Sequence, residues 1–528
     1  MINFFFNNRL LFVFLAPFLL GCLSVFSFQP FNFTWINFFI FPSLFLILFN
    51  INKRSKNKYR KKPYLINLFY AGYFFGIGFF LTGTYWISNS LQFDASLKHF
   101  IPLTIITLPL VLGLFYGFAS IICGKYITYD LKSIFLFSAI ISITDYFRAK
   151  IFTGFPWNLW AYSWSWFTEI IQILNPIGLF AFNLTTITFF CLPVILFTQK
   201  LQIKILTIII FTLLFFGNYL YGNYELNRNK IENLTKLQEN KYLYVKIVSP
   251  NFELKYNLSD TETNERINKL IKYSNIDRDK KTLFIWPEGA LSGKYFFEME
   301  NYKNIIQENF SSNHLIALGI NTLDNKNEKF YNSFIIVDRN LNKKFQYNKI
   351  KLVPFGEFLP LENFLNKIGM KKITPGYSSF SSGSGKSILE LKFKENNLKL
   401  LPLICYEIIF PNLIKVKDNV DRYNFIINIS EDAWFGDSIG PHQHFAKAIF
   451  RSIESRKFVI RSANKGKSVF VDPNGKVIKS LEPFESGNIE LELPLIESTE
   501  KQNKNSLIFY LLLITYVFIF FLLRKFKI

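Results

Sequence analysis

Cysteine and histidine are scarce: the 528-residue chain holds four of each. Three cysteines, Cys22, Cys123 and Cys191, fall inside long apolar runs, where a small buried side chain is the ordinary role. Cys405 is then alone in polar sequence, so it has no internal disulfide partner in any compartment. His442 and His444 form an HxH pair in GPHQHFAK, but no third ligand is evident nearby, which favours hydrogen bonding over a metal centre. No GxGxxG or Walker A phosphate loop is present. A metal or organic cofactor is therefore not expected.

Apolar residues are abundant instead, making up 50% of the chain with 64 Phe. They concentrate in the first 220 or so residues and in the last 23 or so. This distribution predicts an N-terminal transmembrane domain over 1–225, a polar domain over 241–494 and a C-terminal transmembrane helix over 506–523. A span needs about 20 apolar residues. Candidates are Leu10 to Phe28, Trp35 to Phe49, Leu68 to Ile87, Ile101 to Cys123, Ser133 to Tyr146, Pro176 to Phe197, Ile203 to Tyr221 and Ser506 to Leu523. The second and fifth are short. FLLGCLS, Phe18 to Ser24, has the look of a lipoprotein signal, but it runs on into apolar sequence and is read as part of a span.

The formal charge of +22 gathers beside these runs, most densely in NKRSKNKYRKKPY, Asn52 to Tyr64. Such clusters mark membrane topology or anionic headgroups, and nucleic acid is not an expected partner. Basic loops follow the second, fourth, sixth and last spans, and Arg9 precedes the first. Seven spans then place the polar domain on the far, periplasmic face of a bacterial inner membrane. GFPWNLWAYSWSWF, Gly154 to Phe167, reads first as an interfacial aromatic belt. The sharper reading makes it, with Trp157, the floor of a lipid-accessible site.

In the polar domain YLYVKIVSP, TLFIWPEG, HLIALGIN, NSFIIVD, LKLLPLICYE, NFIINIS and KSVFVD read as strands, rich in β-branched and aromatic residues. TNERINKLIKYSN and the stretch from His444 to Ser455 read as amphipathic helices, and PNG at Pro473 to Gly475 as a hairpin turn. Alternation of this kind predicts a layered α/β domain. Three segments carry reactive groups: WPEGA presents Glu288, YNKIKLVPFGEFLP offers Lys349, Lys351 and Glu357, and LPLICYE presents Cys405. Each alone is more often a surface or structural residue. Together they supply a proton acceptor, a cation for a developing oxyanion and a sulfur nucleophile, with a carboxylate standing where a histidine base is missing.

WPEGA, the Lys eight residues before Glu in KIKLVPFGE, and CYE resemble the Glu-Lys-Cys triad of the nitrilase superfamily. YNKIKLVPFGEFLP, CYEIIFP and NISEDAWFGDSIGPHQH are similar to its membrane-bound branch, the apolipoprotein N-acyltransferases. The resemblance covers nearly the whole chain and implies a multi-span helical membrane domain joined to an αββα nitrilase-like sandwich. It implies Glu288 as general base, Lys349 as oxyanion stabiliser and Cys405 as nucleophile, with Glu357, Tyr406 and Glu407 supporting them. Where the family has a functional Trp, this chain offers Tyr256 in NFELKYN. The implied reaction is ping-pong: an acyl chain, typically the sn-1 chain of phosphatidylethanolamine, passes to Cys405 as a thioester. It then passes to the α-amino group of the N-terminal diacylglyceryl-cysteine of an apolipoprotein. The implied partners are thus a membrane phospholipid and a diacylated apolipoprotein, and the chain is expected to act as a monomer.

Two alternatives share these residues. A membrane-tethered amidohydrolase of the nitrilase class would use the same triad on a small amide. A transporter with a soluble sensor domain would line its spans with ionisable groups, and apart from Asp145 at the edge of the fifth span and Glu169 on the approach to the sixth these are scarce.

Overall fold

The structure, a computed structural model, describes residues 8–57, 63–95, 97–197, 201–228, 242–324, 326–360, 362, 379–385, 388–415, 423–495 and 505–525. Of the basic stretch from Asn52 to Tyr64, residues 58–62 lie outside these segments. The chain folds as two units, one of Met1–Ser88, His99–Glu225 and Asn503–Ile528, the other of Asn89–Lys98 and Leu226–Gln502.

The first unit is helical. Among the described residues seven helices are long and apolar enough to cross a membrane: Leu10–Ser27, Thr34–Lys53, Tyr64–Phe93, Lys98–Gly124, Leu179–Phe197, Leu201–Arg228 and Leu507–Lys525. They correspond to seven of the eight expected spans. The remaining one is also a helix, Leu131–Arg148, but Lys132, Asp145 and Arg148 lower its hydropathy. Small residues let helices Pro63–Thr84 and Ile101–Gly124 approach closely, since a Cβ on Gly76 would stand 2.8 Å from the Cα of Gly113.

Three of the four tryptophans in the Gly154 to Phe167 segment correct the aromatic-belt reading, while Trp166 is 38% exposed. Trp157, Trp160 and Trp164 are 1%, 0% and 2% exposed, so they form the core of the helical unit and do not face lipid. Trp160 stacks on Phe79 with centroids 4.7 Å apart, and Trp157 lies 4.7 Å from Trp86. A buried polar network pins this segment. Arg148 donates to Asp145 Oδ1 at 3.1 Å and to the Phe155 carbonyl at 2.5 Å, while Asn183 donates to Asp145 Oδ2 at 3.0 Å and accepts the Ala161 N–H at 3.0 Å. Trp160 Nε1 donates to Tyr116 Oη at 3.0 Å, and that hydroxyl donates to Asp145 at 3.3 Å.

Among the described residues the second unit forms two six-stranded sheets. The first has the order β12-β1-β2-β3-β4-β5, from β1 (Tyr242–Ser249), β2 (Thr282–Ile285), β3 (His314–Asp324), β4 (Lys329–Val337), β5 (Lys343–Asn348) and β12 (Gly487–Pro494). The second has the order β11-β10-β9-β8-β7-β6, from β6 (Leu389–Phe393), β7 (Asn396–Ile404), β8 (Phe425–Glu431), β9 (Phe458–Asn464), β10 (Ser468–Val471) and β11 (Val477–Leu481). In each sheet the three central strands run parallel and the outer ones antiparallel.

Side chains alternate across a strand, so one face of each sheet meets the other. Val245, Ile247, Leu283, Ile285 and Phe334 of the first sheet interdigitate with Leu400, Ile427, Ile429 and Ile460 of the second. The opposite face of the first sheet, with Val248, Phe284 and Ile316, packs under Ile267 and Leu270 of helix α1 (Asp260–Ser274). Helix α2 (Gly440–Ser455) packs on the second sheet. The layers are therefore helix, sheet, sheet, helix. Both faces of the parallel strands are covered, which is why β2, β8 and β9 are buried throughout. The PNG turn joins β10 to β11, with Gly475 at φ +82°.

Candidate active site

Three chain segments meet at the ends of the central strands. After β2 the Trp286 N–H makes one last bond, to the Ala317 carbonyl, before Pro287 ends the strand and Glu288 turns inward. The turn needs Gly289 at φ +72°, and Glu288 itself rests on Gly319, where a Cβ would stand 2.8 Å from the Glu288 Cα. Glu288 Oε1 accepts from Asn332 Nδ2 at 2.7 Å, and Oε2 accepts the Glu431 N–H at 3.0 Å.

Lys349 follows β5 directly and is 1% exposed. Its N–H bonds the Asn332 carbonyl at 2.9 Å, which fixes where the side chain starts. Nζ lies 2.9 Å from Glu357 Oε1 and 3.5 Å from Glu288 Oε1. Burial acts against the ammonium, but the carboxylates of Glu357 and Glu288 outweigh it and hold the group above its ordinary range, so Lys349 is a permanent cation. Glu357 is set by the PFGE turn: Phe355 sits at φ +63°, and Glu357 Oε2 accepts the Val353 N–H at 2.8 Å. Asn332 Nδ2 also donates to Glu357 Oε1 at 2.8 Å, so one amide ties both carboxylates together.

Cys405 ends β7 and adopts φ +47°, a left-handed conformation that a side chain other than Gly, Asn or Asp rarely takes. Strain of this kind at a strand-to-helix turn is how a nucleophile is held clear of its own sheet. The thiol is buried. Burial pushes it up, the Glu288 charge pushes it further, and Lys349 opposes both without cancelling them. The resting group is consequently a thiol, and attack requires a base.

Glu407 locks this turn to the lysine loop. It is fully buried, and Oε1 accepts from Tyr347 Oη at 2.8 Å, the Ile350 N–H at 2.8 Å and the Lys351 N–H at 3.0 Å. Oε2 accepts the Ile404 N–H at 2.8 Å, immediately before Cys405. Tyr406 packs edge-on against Phe410 at 5.1 Å, and the Lys351 ammonium faces the same Phe410 ring at 5.3 Å, so Lys351 serves another role than Lys349. Tyr256 faces the site: its hydroxyl is buried and has no hydrogen-bond partner among the described residues, its ring lies 5.8 Å from Trp434, and burial first, with the carboxyl groups around it, raises its proton affinity. Trp157 is placed in the helical core between Trp86 and Phe155.

Behind Cys405, Arg461 of β9 donates to Asp432 Oδ2 at 2.6 Å, and His444 Nδ1 lies 3.1 Å from both Arg461 Nη2 and Asp432 Oδ1. His444 Nε2 is 3.3 Å from the Cys405 carbonyl. Burial first, then Arg461, lowers His444 to about 4, so the ring is neutral and carries a single N–H, with Nδ1 within reach of Asp432 and Arg461 and Nε2 within reach of the Cys405 carbonyl. The histidine is thus a hydrogen-bonding element. His442, two residues earlier on α2, points to another face of the helix. Among the described residues no group of three His, Cys, Asp or Glu is arranged to hold a metal ion.

Asn332, Glu431, Asp432, Arg461 and Asn464 contribute to this network without having been assigned roles from sequence. A signal existed for two of them: Glu431 and Asp432 close an apolar strand in NISED, an expensive place for adjacent acids unless they are used.

A buried Glu-Lys-Cys cluster at the strand ends of an αββα sandwich, joined to a bundle of apolar helices, defines a membrane-bound member of the nitrilase superfamily. Residues 253–501 match the family model for carbon-nitrogen hydrolases, and residues 20–192 match that for the apolipoprotein N-acyltransferase N-terminal domain. An apolipoprotein N-acyltransferase of Rickettsia prowazekii is 31% identical over 484 residues, covering 90% of this chain and 91% of the relative. One from Brucella melitensis is 30% identical over 494 residues, covering 91% and 89%. A nitrilase-superfamily structure from Saccharomyces cerevisiae superimposes with a TM-score of 0.34 at 17% identity, covering 49% of this chain and 90% of that one. The chain belongs to the apolipoprotein N-acyltransferase family and is an acyltransferase of a bacterial membrane.

Proposed function

We propose that Cys405, Glu288 and Lys349 move an acyl chain from a membrane phospholipid to the N-terminal amine of a diacylated apolipoprotein. The observation that carries this reading is the buried Lys349, in contact with Glu357 and Glu288, whose charge also acts on the Cys405 thiol. Glu288 takes the thiol proton as sulfur attacks the ester carbonyl. Lys349 and the Tyr406 N–H hold the oxyanion. Glu288 returns the proton to the departing oxygen, the lysophospholipid leaves as an alcohol, and a thioester remains. The amine of the diacylglyceryl-cysteine then attacks, Glu288 passes its proton to the departing sulfur, and an amide forms. Glu357, Tyr406 and Glu407 position these groups, and Tyr256 contacts substrate.

The catalytic unit acts on the periplasmic face. This reading requires Leu131–Arg148 to span the membrane as the seventh helix before it. Two features support that: Asp145 and Arg148 neutralise each other inside the helical unit, and Lys132 stands at the helix end. Basic residues on alternate loops support the same orientation.

The test is incubation of the purified protein with phosphatidylethanolamine labelled in its sn-1 chain. An acyl thioester should appear on Cys405, be absent in Cys405→Ala, and be discharged by a diacylated lipopeptide. Release of free fatty acid alone, or of ammonia from a small amide, would overturn the transferase reading in favour of a hydrolase.

A further inference from the structure

Glu431 ends β8, is 2% exposed, and touches the base from two sides. Its N–H donates to Glu288 Oε2, and its carboxyl lies so close to Gly289 that any Cβ there would collide with Oε2. Among the described residues, every hydrogen bond to that carboxyl comes from a neutral donor. The Ala433 N–H reaches Oε1 at 3.0 Å, and Asn464 Nδ2 reaches Oε1 and Oε2 at 3.0 and 2.9 Å. Asn464 is fixed in turn by Phe252, accepting its N–H at 2.7 Å and donating to its carbonyl at 2.9 Å. Glu431 therefore sits between the base, the loop that carries Tyr256 and the turn that carries Trp434.

The charged and titratable groups facing it are Glu288 from the turn after β2, Asp432 from its own turn, Tyr256 from the loop before α1 and Arg266 from α1. Arg266 commits its guanidinium elsewhere, donating to the carbonyls of Ala290 at 3.1 Å and Glu253 at 2.6 Å and lying over the Phe252 ring at 4.7 Å. Among the described residues no cation pairs with Glu431. A carboxylate taken out of water without a cation, beside two other carboxylates, is far costlier than the neutral acid. Burial, and then Glu288 and Asp432 against the Ala433 and Asn464 donors, hold it well above the usual carboxylate range.

We propose that Glu431 is a positioning residue for the general base Glu288 and performs this role as an uncharged carboxylic acid. It supplies hydrogen-bonding shape at the hub of the site without adding a third negative charge beside Glu288 and Glu357. A charge there would oppose formation of the Cys405 thiolate. The inference rests on the Glu-Lys-Cys reading above.

The test follows the rate of acyl-thioester formation on Cys405 against pH, in full-length protein with labelled phosphatidylethanolamine. Glu431→Ala should be slower by about tenfold or more, because the turn that presents the 431 N–H loses its anchors. Glu431→Gln keeps neutrality, and its amide oxygen still accepts from Ala433 and Asn464, but its NH2 faces Asn464 Nδ2, so it should recover part of that loss with the acidic limb unmoved. Two results would overturn the proposal: a Gln variant with its acidic limb displaced, which would mean that the charge is needed, or an Ala variant at the wild-type rate. If the Ala variant fails to fold, the pH profile of the Gln variant decides alone. Thioester formed in Cys405→Ala would instead overturn the triad itself, a result distinct from any of these.

Discussion

The two units each bury an ionic cluster, and the clusters are built to opposite ends. In the helical unit one cation, Arg148, meets one anion, Asp145, and the surrounding Asn183, Tyr116 and Trp160 close the hydrogen bonds onto the segment that carries the tryptophans. In the catalytic unit one cation, Lys349, faces the two carboxylates Glu288 and Glu357 and a thiol held above its ordinary range. The first set is balanced and complete. The second is left out of balance by one negative charge, and in the proposed chemistry that excess is what a buried carboxylate needs to accept a proton from sulfur. Buried charge that cancels holds a structure together; buried charge that does not cancel is stored for chemistry.

Lys349→Met should break the catalytic cluster most severely. It leaves Glu288 and Glu357 with no cation, so the rate of thioester formation should fall by about 1,000-fold or more. What activity remains should have its acidic limb moved to higher pH, because unscreened neighbouring carboxylates hold protons more tightly. A variant that kept its rate would show that the oxyanion is stabilised elsewhere.

Arg148→Met is the matching change in the helical unit. Removing one partner of a buried pair costs about 3–5 kcal/mol, which should appear as a lower unfolding midpoint in detergent. The thioester rate per folded molecule should stay near wild type. A lost rate in a folded variant would mean that this pair does more than anchor the tryptophan segment.

The contrast was only partly legible in the sequence. WPEGA, PFGE and CYE announced Glu288, Glu357 and Cys405 because each breaks an apolar run with an unusual turn, and local chemistry of that kind survives without a structure. Asn332 gave no such warning. It is one polar residue within KFYNSFIIV, and only pairing β4 against β5 brings it to both carboxylates. Strand β9, FVIRSAN, was hidden by Arg461 and Asn464, which read as a polar break but are buried against Asp432 and Glu431. The outer strands β5, β11 and β12 are half-exposed, so they lack the apolar runs that revealed β1, β7 and β8. Tryptophan density misled for a related reason: composition does not distinguish a ring facing lipid from one facing the core.

Glu407→Gln tests the clamp that joins the two halves of the catalytic cluster. Glu407 accepts four donors and gives none, so an amide must turn its NH2 toward at least one N–H. The mismatch should cost about 2–3 kcal/mol and slow thioester formation, since Lys349 and Cys405 lose their common anchor. Loss of stability with an unchanged rate would reduce Glu407 to a packing role.

The smallest effect concerns the balanced set behind the nucleophile. His444 is held at about 4, below its ordinary 6.5, by burial and by Arg461. Between those values the unfolded chain binds more protons than the folded one, so stability is present above pH 6.5 and is lost as pH falls toward 4. The slope approaches about 1 kcal/mol per pH unit within that window. Glu407 and Glu431, raised by burial, contribute with the opposite sign, so the measurement is a difference. The unfolding midpoint of wild type should fall more steeply from pH 7 to 5 than that of His444→Gln. Parallel slopes would mean that the ring is charged in the folded state, and that the cluster behind Cys405 carries a net charge able to influence the thiol.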